Sequence, residues 1–184
     1  IILEAEIILK LWLKTVPEYA VIFVRLTLVV SLIESLSKTL IQAMFATGKI
    51  RDYQLMVGSI TLLNLPLSLL FLYWGYPPQA VFIIAIIIAI ISLFVRLTML
   101  KTMVNIQVKN FLYKVVINVI IISILSALIP TAILFSLEPG FKRLLLVTFT
   151  SILSTTLMIY IIGLTAKERN LINNKIITAI NRLK

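Results

Sequence analysis

The sequence contains no cysteine and no histidine. Their absence excludes thiol nucleophiles, disulfides, imidazole bases and His/Cys metal sites within this chain. Acidic residues are also scarce, with seven Asp and Glu among 184 residues. No carboxylate dyad, Gly-rich phosphate loop or metal-ligand cluster is recognisable in the pattern. We therefore expect no catalytic residue, no cofactor and no metal site, and we expect the chain not to be an enzyme.

Polar residues are few as well. Hydrophobic residues make up 61% of the chain, charged residues 13%, and the mean hydropathy is +1.12. An ordinary globular domain is about 45–50% apolar. A soluble chain of this size would need a polar surface that this composition does not supply. The sequence therefore predicts an integral membrane protein.

Five apolar segments are long enough to cross a bilayer, because about 20 helical residues span a hydrocarbon core of about 30 Å. They cover residues 18–44, 53–74, 79–100, 113–136 and 142–164. Helices are expected because backbone in lipid must satisfy its own hydrogen bonds. The predicted fold is an all-α, polytopic membrane helix bundle over residues 1–165. Residues 1–13 are expected to be the end of a preceding span.

Residues 166–184 differ from the rest and predict an amphipathic, cytoplasmic C-terminal helix. Apolar residues recur there on one helical stripe, with Lys and Asn opposite. The stripe consists of Ile172, Ile176, Ile177, Ile180 and Leu183. Such a helix suits the anionic inner leaflet of a membrane.

The net charge of +10 comes from 17 basic residues that lie mostly between the apolar segments. One side of the predicted topology holds eleven of them: Lys49, Arg51, Arg96, Lys101, Lys109, Lys114, Lys167, Arg169, Lys175, Arg182 and Lys184. The other side holds four: Lys10, Lys14, Lys142 and Arg143. The positive-inside rule then predicts a cytoplasmic C-terminus. No nucleic-acid-binding motif is present, so no nucleic acid partner is expected.

The first predicted span carries charges inside an apolar run. Polar residues advance there by three or four positions and form one stripe on a helix: Thr27, Ser31, Glu34, Lys38 and Gln42. Arg25 falls on nearly the opposite face, where its long side chain is expected to snorkel outward. A charge near the bilayer centre costs about 2.5–3.5 kcal/mol on insertion scales. The stripe is therefore expected to face either a polar transport path or the interior of a bundle, where it would set helix register.

The second span contains Asn64 and Pro66. A proline inside a helix removes one backbone hydrogen bond and kinks the helix. Asn64 is expected either to bond a neighbouring helix or to face the same polar path as the first span.

Several segments, in this order, resemble one transporter family. ILKLWLKTVPEYA (8–20) leads into a span that ends AMFATGKIRDYQ (43–54), and LLNLPLSLLFLYWGYPPQAVF (62–82) and RLTMLKTM (96–103) follow. The order is similar to the C-terminal part of the bacterial polysaccharide, or O-antigen (Wzx-type), flippases. These belong to the multidrug/oligosaccharidyl-lipid/polysaccharide exporter superfamily.

The resemblance implies a function and partners. It implies flipping of a lipid-linked oligosaccharide, of the undecaprenyl diphosphate type, across the bacterial inner membrane by alternating access. The five spans would then be part of a larger exporter fold, with membrane lipids and a missing N-terminal lobe of the same protein as partners. By position, Arg25 and Lys38 would contact the anionic headgroup, and Glu34 would hold Lys38 or take part in ion coupling. From their positions on the first two spans, Gln42 and Asn64 are further candidates for the wall of the cavity.

Three other functions fit the composition. The chain could be a different secondary transporter or drug exporter of the same superfamily, or a structural membrane subunit whose charges serve assembly. An integral-membrane enzyme is the third, and the lack of His and of paired acids argues against it.

Overall fold

The structure of the protein is a computed structural model that describes residues 2–48 and 50–182, with side chains for all of these except 166 and 176–182. The described residues form helices and connecting turns. The helices are α1 (Ala5–Trp12), α2 (Ala20–Ala46), α3 (Ile50–Leu62), α4 (Asn64–Tyr73), α5 (Gln79–Val104), α6 (Val108–Phe111), α7 (Asn118–Ser136), α8 (Phe141–Met158) and α9 (Ala166–Arg182). Two π-helical turns, Leu112–Ile117 and Ile159–Gly163, precede α7 and follow α8.

The predicted fold class is confirmed. Five helical segments of the described chain are long and apolar enough to cross a membrane: Ala20–Ala46, Ile50–Tyr73, Gln79–Val104, Val108–Ser136 and Phe141–Gly163. Each overlaps one of the spans predicted from the sequence. Many large apolar side chains on these helices are exposed, as expected where lipid replaces water as the solvent. The chain is thus an all-α integral membrane protein.

The second span is interrupted at Leu63, between α3 and α4. Pro66 has no amide hydrogen to donate to the Leu62 carbonyl, and its ring crowds that carbonyl. The helix accordingly stops at Leu62, and the regular pattern resumes when the Leu67 amide donates to the Leu63 carbonyl at 3.1 Å. The interruption expected from Pro66 therefore lies within one turn before it.

Two helix ends rest on left-handed backbone. Gly75 has φ 81° and follows α4, where its amide donates to the Leu72 carbonyl and the Tyr76 amide donates to Phe71. This pair of bonds is a Schellman motif, which glycine enters without steric cost. Asn105 has φ 57° and ends α5. The third span therefore runs four residues beyond the predicted end at residue 100.

Residues 1–111 form the first of two compact units, and α5 is its central helix. α5 packs most extensively on α2 and also contacts α3 and α4. Phe23 of α2 stacks on Phe82 of α5, and Ser37 of α2 meets Arg96 of α5, so both pairs are 59 positions apart. A constant offset requires α2 and α5 to run parallel, with the α3–α4 segment returning between them.

Residues 112–184 form the second unit, in which α7 and α8 pack against each other. Pro130 lies inside α7 and is fully buried. Arg143 of α8 donates to the carbonyls of Leu134 and Leu137, which lie at the end of α7. A basic side chain thus satisfies carbonyls that a helix end leaves without partners.

The C-terminal segment is helical, as the sequence predicted. Thr165 and Glu168 start α9 with reciprocal hydrogen bonds. The Thr165 amide and hydroxyl both donate to Glu168 Oε2, at 2.8 and 2.7 Å, and the Glu168 amide donates to Thr165 Oγ1 at 3.5 Å. This arrangement is a capping box. The side chains of Ile176, Ile177, Ile180 and Leu183 are outside the described part of the structure, so the amphipathic stripe stays a prediction.

Candidate functional site: the charged face of α2 and the Arg96 pocket

The polar stripe predicted on the first span lies on one exposed face of α2. Its five members are all exposed: Thr27, Ser31, Glu34, Lys38 and Gln42. The buried residues of α2 are Ser37, Leu40 and Met44, on a different face of the helix. α2 therefore packs through one face and presents Glu34, Lys38 and Gln42 on another.

Glu34 and Lys38 do not pair with each other. Among the residues that the structure describes, the salt bridge within 4.0 Å joins Lys10 to Glu6 at 2.7 Å, and neither Glu34 nor Lys38 makes one. An exposed i,i+4 pair gains only about 0.3–0.5 kcal/mol and loses side-chain freedom on forming. The idea that Glu34 holds Lys38 in place therefore has no support in the geometry, and both charges are open to another group.

Arg25 does not share the face that carries Lys38. They are thirteen positions apart, which is about 20 Å along a helix, and a rotation of about 100° per residue puts them on nearly opposite sides. Arg25 Nε donates to the Ile2 carbonyl at 3.1 Å and so connects α2 to the segment before α1. The structure brings Glu34, Lys38 and Gln42 to one face, while Arg25 serves a contact elsewhere.

Asn64 is half-buried at the first turn of α4. Its Oδ1 accepts a hydrogen bond from the Ser68 hydroxyl at 3.2 Å. The partner lies on the same helix, one turn later, and among the described residues Asn64 bonds no neighbouring helix. Its local bond helps to order the chain where the span resumes after Leu63.

A second polar cluster, which the sequence did not single out, centres on Arg96 of α5. Arg96 Nε donates to the Tyr53 hydroxyl at 3.2 Å, and Arg96 Nη1 donates to the Ser37 hydroxyl at 3.1 Å. Ser37 is 1% exposed and Tyr53 is 5% exposed. One side chain thus ties together α2, α3 and α5.

A pocket of about 340 Å³ lies beside this cluster. It is lined by Tyr53, Gln54, Val57, Gly58, Thr61, Leu62 and Arg96. From the sequence, Arg96 was predicted to be a topology-setting charge four residues before the end of its span at residue 100. In the structure α5 continues for eight residues beyond Arg96.

The fold and its charged, exposed α2 face define the class of protein: an integral membrane helix bundle with polar groups inside its spans. No family model, curated protein or solved structure matches the chain. Within the described residues, no group of three or more acids is placed to hold a metal ion.

Proposed function

We propose that this chain is part of a membrane transporter, and that the α2 face carrying Glu34, Lys38 and Gln42 lines the polar path. The observation that supports the proposal is the exposure of both charges in the middle of a 27-residue membrane-spanning helix, without a mutual ion pair. Charges in such a place are costly against lipid and are usually found facing a water-filled cavity. A helix-register device would instead bury and pair them.

The proposed cargo is a lipid-linked oligosaccharide of the undecaprenyl diphosphate type, flipped across the bacterial inner membrane by alternating access. The cargo follows from the resemblance of residues 8–103 to polysaccharide flippases. In this proposal Lys38 contacts the diphosphate, and Gln42 and Glu34 contact polar groups or a coupling ion. Arg25 and Asn64 support the helices that form the path. The C-terminus is cytoplasmic, and the protein is a transporter rather than an enzyme.

The test replaces Lys38 by alanine in the protein expressed in its native host cells. We expect Lys38→Ala to lower surface polysaccharide by about tenfold, the usual loss for one charge-assisted hydrogen bond. Lys101→Ala is the matched control, because it removes the same charge from an exposed position of α5. Immunoblots of membranes check that both variants accumulate equally.

Two results would contradict parts of the proposal. Normal polysaccharide in Lys38→Ala would remove the role assigned to the α2 face. Normal polysaccharide together with increased sensitivity to cationic or lipophilic drugs would favour a drug exporter of the same superfamily.

A further inference from the structure

Arg96 is a positive charge well inside a membrane-spanning helix. It lies eight positions before the end of α5 at Val104, which is about 12 Å of helix. The residue is half-buried. Desolvating a guanidinium inside a membrane protein is costly unless a counter-charge or water compensates it.

The protein partners of Arg96 are neutral. Two of its five N–H groups donate to the hydroxyls of Tyr53 and Ser37. The other three have no hydrogen-bond acceptor among the described residues, and no described carboxylate lies within salt-bridge distance. Within the described part of the chain, three donors and the positive charge of Arg96 are therefore left for a further ligand.

The pocket next to Arg96 supplies donors and no acid. Tyr53 accepts from Arg96, so its own hydroxyl hydrogen stays available, and the Gln54 amide offers two more donors. A Cβ built on Gly58, in the pocket wall, meets no atom within 4 Å. A volume of about 340 Å³ holds a phosphate group and several waters, each of which occupies about 30 Å³ in the liquid.

The pocket wall also carries apolar residues. Val57 and Leu62 of α3 line it, and Leu62 is 74% exposed. A basic, donor-rich pocket with exposed apolar Leu62 at its edge, on a membrane-spanning segment, matches an anionic headgroup joined to acyl chains.

We propose that the Arg96 pocket binds a phosphate group, held by the Arg96 guanidinium, the Tyr53 hydroxyl and the Gln54 amide, and that the phosphate belongs to a membrane lipid. The pocket lies between α3 and α5, apart from the α2 face assigned to transport. The inference therefore stands whether or not the proposed function does.

The test measures lipid binding by native mass spectrometry of the purified protein released from detergent. The probes are phosphatidylglycerol, diacylglycerol without a phosphate, and inorganic phosphate. We expect wild-type protein to bind phosphatidylglycerol and to bind diacylglycerol at least tenfold more weakly. Arg96→Gln is expected to lose about tenfold in phosphatidylglycerol affinity, because a charge-assisted contact is removed. Lys101→Gln, with the same charge change on the same helix, is expected to stay within about twofold.

A second variant separates binding from folding, since Arg96→Gln also removes two contacts between helices. Gly58→Leu fills the pocket and leaves the bonds from Arg96 to Ser37 and Tyr53 in place. We expect this variant to lose phosphatidylglycerol binding. Its unfolding temperature should equal or exceed that of the wild type. Equal phosphatidylglycerol binding by wild-type, Arg96→Gln and Gly58→Leu proteins would overturn the proposal. Competition by millimolar inorganic phosphate would support a phosphate site and identify its ligand as free phosphate.

Discussion

Glu168 illustrates how one ionisable side chain sets the start of a helix. Hydrogen bonds from the Thr165 hydroxyl and the Thr165 backbone amide lower the pKa of the Glu168 carboxyl below its usual value of 4.5. A lowered pKa means that the folded state favours the charged carboxylate. The stabilisation of this helix start is complete above pH 4.5 and is lost as the pH falls through the lower, folded pKa.

We therefore expect the first turn of α9 to open in acid. Amide hydrogen exchange of residues 165–169, corrected for its intrinsic pH dependence, should be constant from neutral pH to about pH 5 and should lose protection below pH 4.5. Glu168→Gln keeps an acceptor for the Thr165 amide and should remove this pH dependence. Thr165→Ala should speed exchange by roughly fivefold at neutral pH, the usual effect of losing an N-cap hydroxyl. Acid-insensitive protection in the wild type would contradict this account.

The contacts of single charged residues were only partly predictable from the sequence. The spacing of Glu34 and Lys38 predicted that both lie on one face, and they do. It could not decide whether they pair, because an exposed pair is nearly neutral in free energy and small differences in environment determine the outcome. The hydrogen bonds of Arg96 could not be predicted from the sequence. Its partners Ser37 and Tyr53 come from two other helices, and only the packing of α2 and α3 on α5 brings them together.

At the scale of elements, the break between α3 and α4 is a consequence of Pro66. We expect Pro66→Ala to give one continuous helix over residues 50–73, because alanine restores the amide that can donate to the Leu62 carbonyl. Spin labels at the exposed positions Leu55 and Leu69 report the change. In a continuous helix these positions are about 21 Å apart along the axis. Electron–electron distance measurements on Pro66→Ala should therefore give a narrower distribution, shifted from the wild type toward that value.

The control for this experiment is Leu67→Ala. It changes the neighbouring side chain and leaves the backbone amide that donates to Leu63. We expect its distance distribution to match the wild type. If Pro66→Ala also matched the wild type, packing of α4 on α5 would be the cause of the break.

The elements were largely predictable, for a physical reason. Length and apolarity decide which segments can cross a bilayer, so all five spans could be located from composition alone. The ends of the spans could not be located from composition, because the backbone conformation of a single residue decides where a helix stops. α5 continues past Lys101 until Asn105 adopts a left-handed conformation. Asparagine tolerates this conformation but does not always adopt it, so its presence in the sequence does not fix the helix end.

At the scale of the whole molecule, the first unit has chemically distinct ends. Arg51 and Lys101 lie toward the end where α2 and α5 finish, and Tyr53 of α3 contacts Arg96 there. Tyr19, Tyr73 and Trp74 lie toward the opposite end, where α2 and α5 begin. Aromatic residues are enriched at both interfaces of membrane proteins, and the positive-inside rule assigns the end with Arg51 and Lys101 to the cytoplasm. The structure supplies the two ends, and the side of the membrane on which each lies remains a prediction.

The absence of cysteine from the chain makes that prediction directly testable, because each introduced cysteine adds a unique label within it. Tyr76→Cys, in the exposed turn after α4, should react with a membrane-impermeant maleimide added to intact spheroplasts. Ala46→Cys and Lys175→Cys are also at exposed positions and should react at least tenfold more slowly until the membrane is permeabilised. Equal labelling of all three after permeabilisation controls for reactivity.

The physical reason for the expected orientation is that moving the basic ends of these helices outward would oppose the membrane potential, at about 2.3 kcal/mol per charge per 100 mV. Labelling of Ala46→Cys and Lys175→Cys from outside, with Tyr76→Cys protected, would invert the topology and place the Arg96 end of α5 at the outer surface.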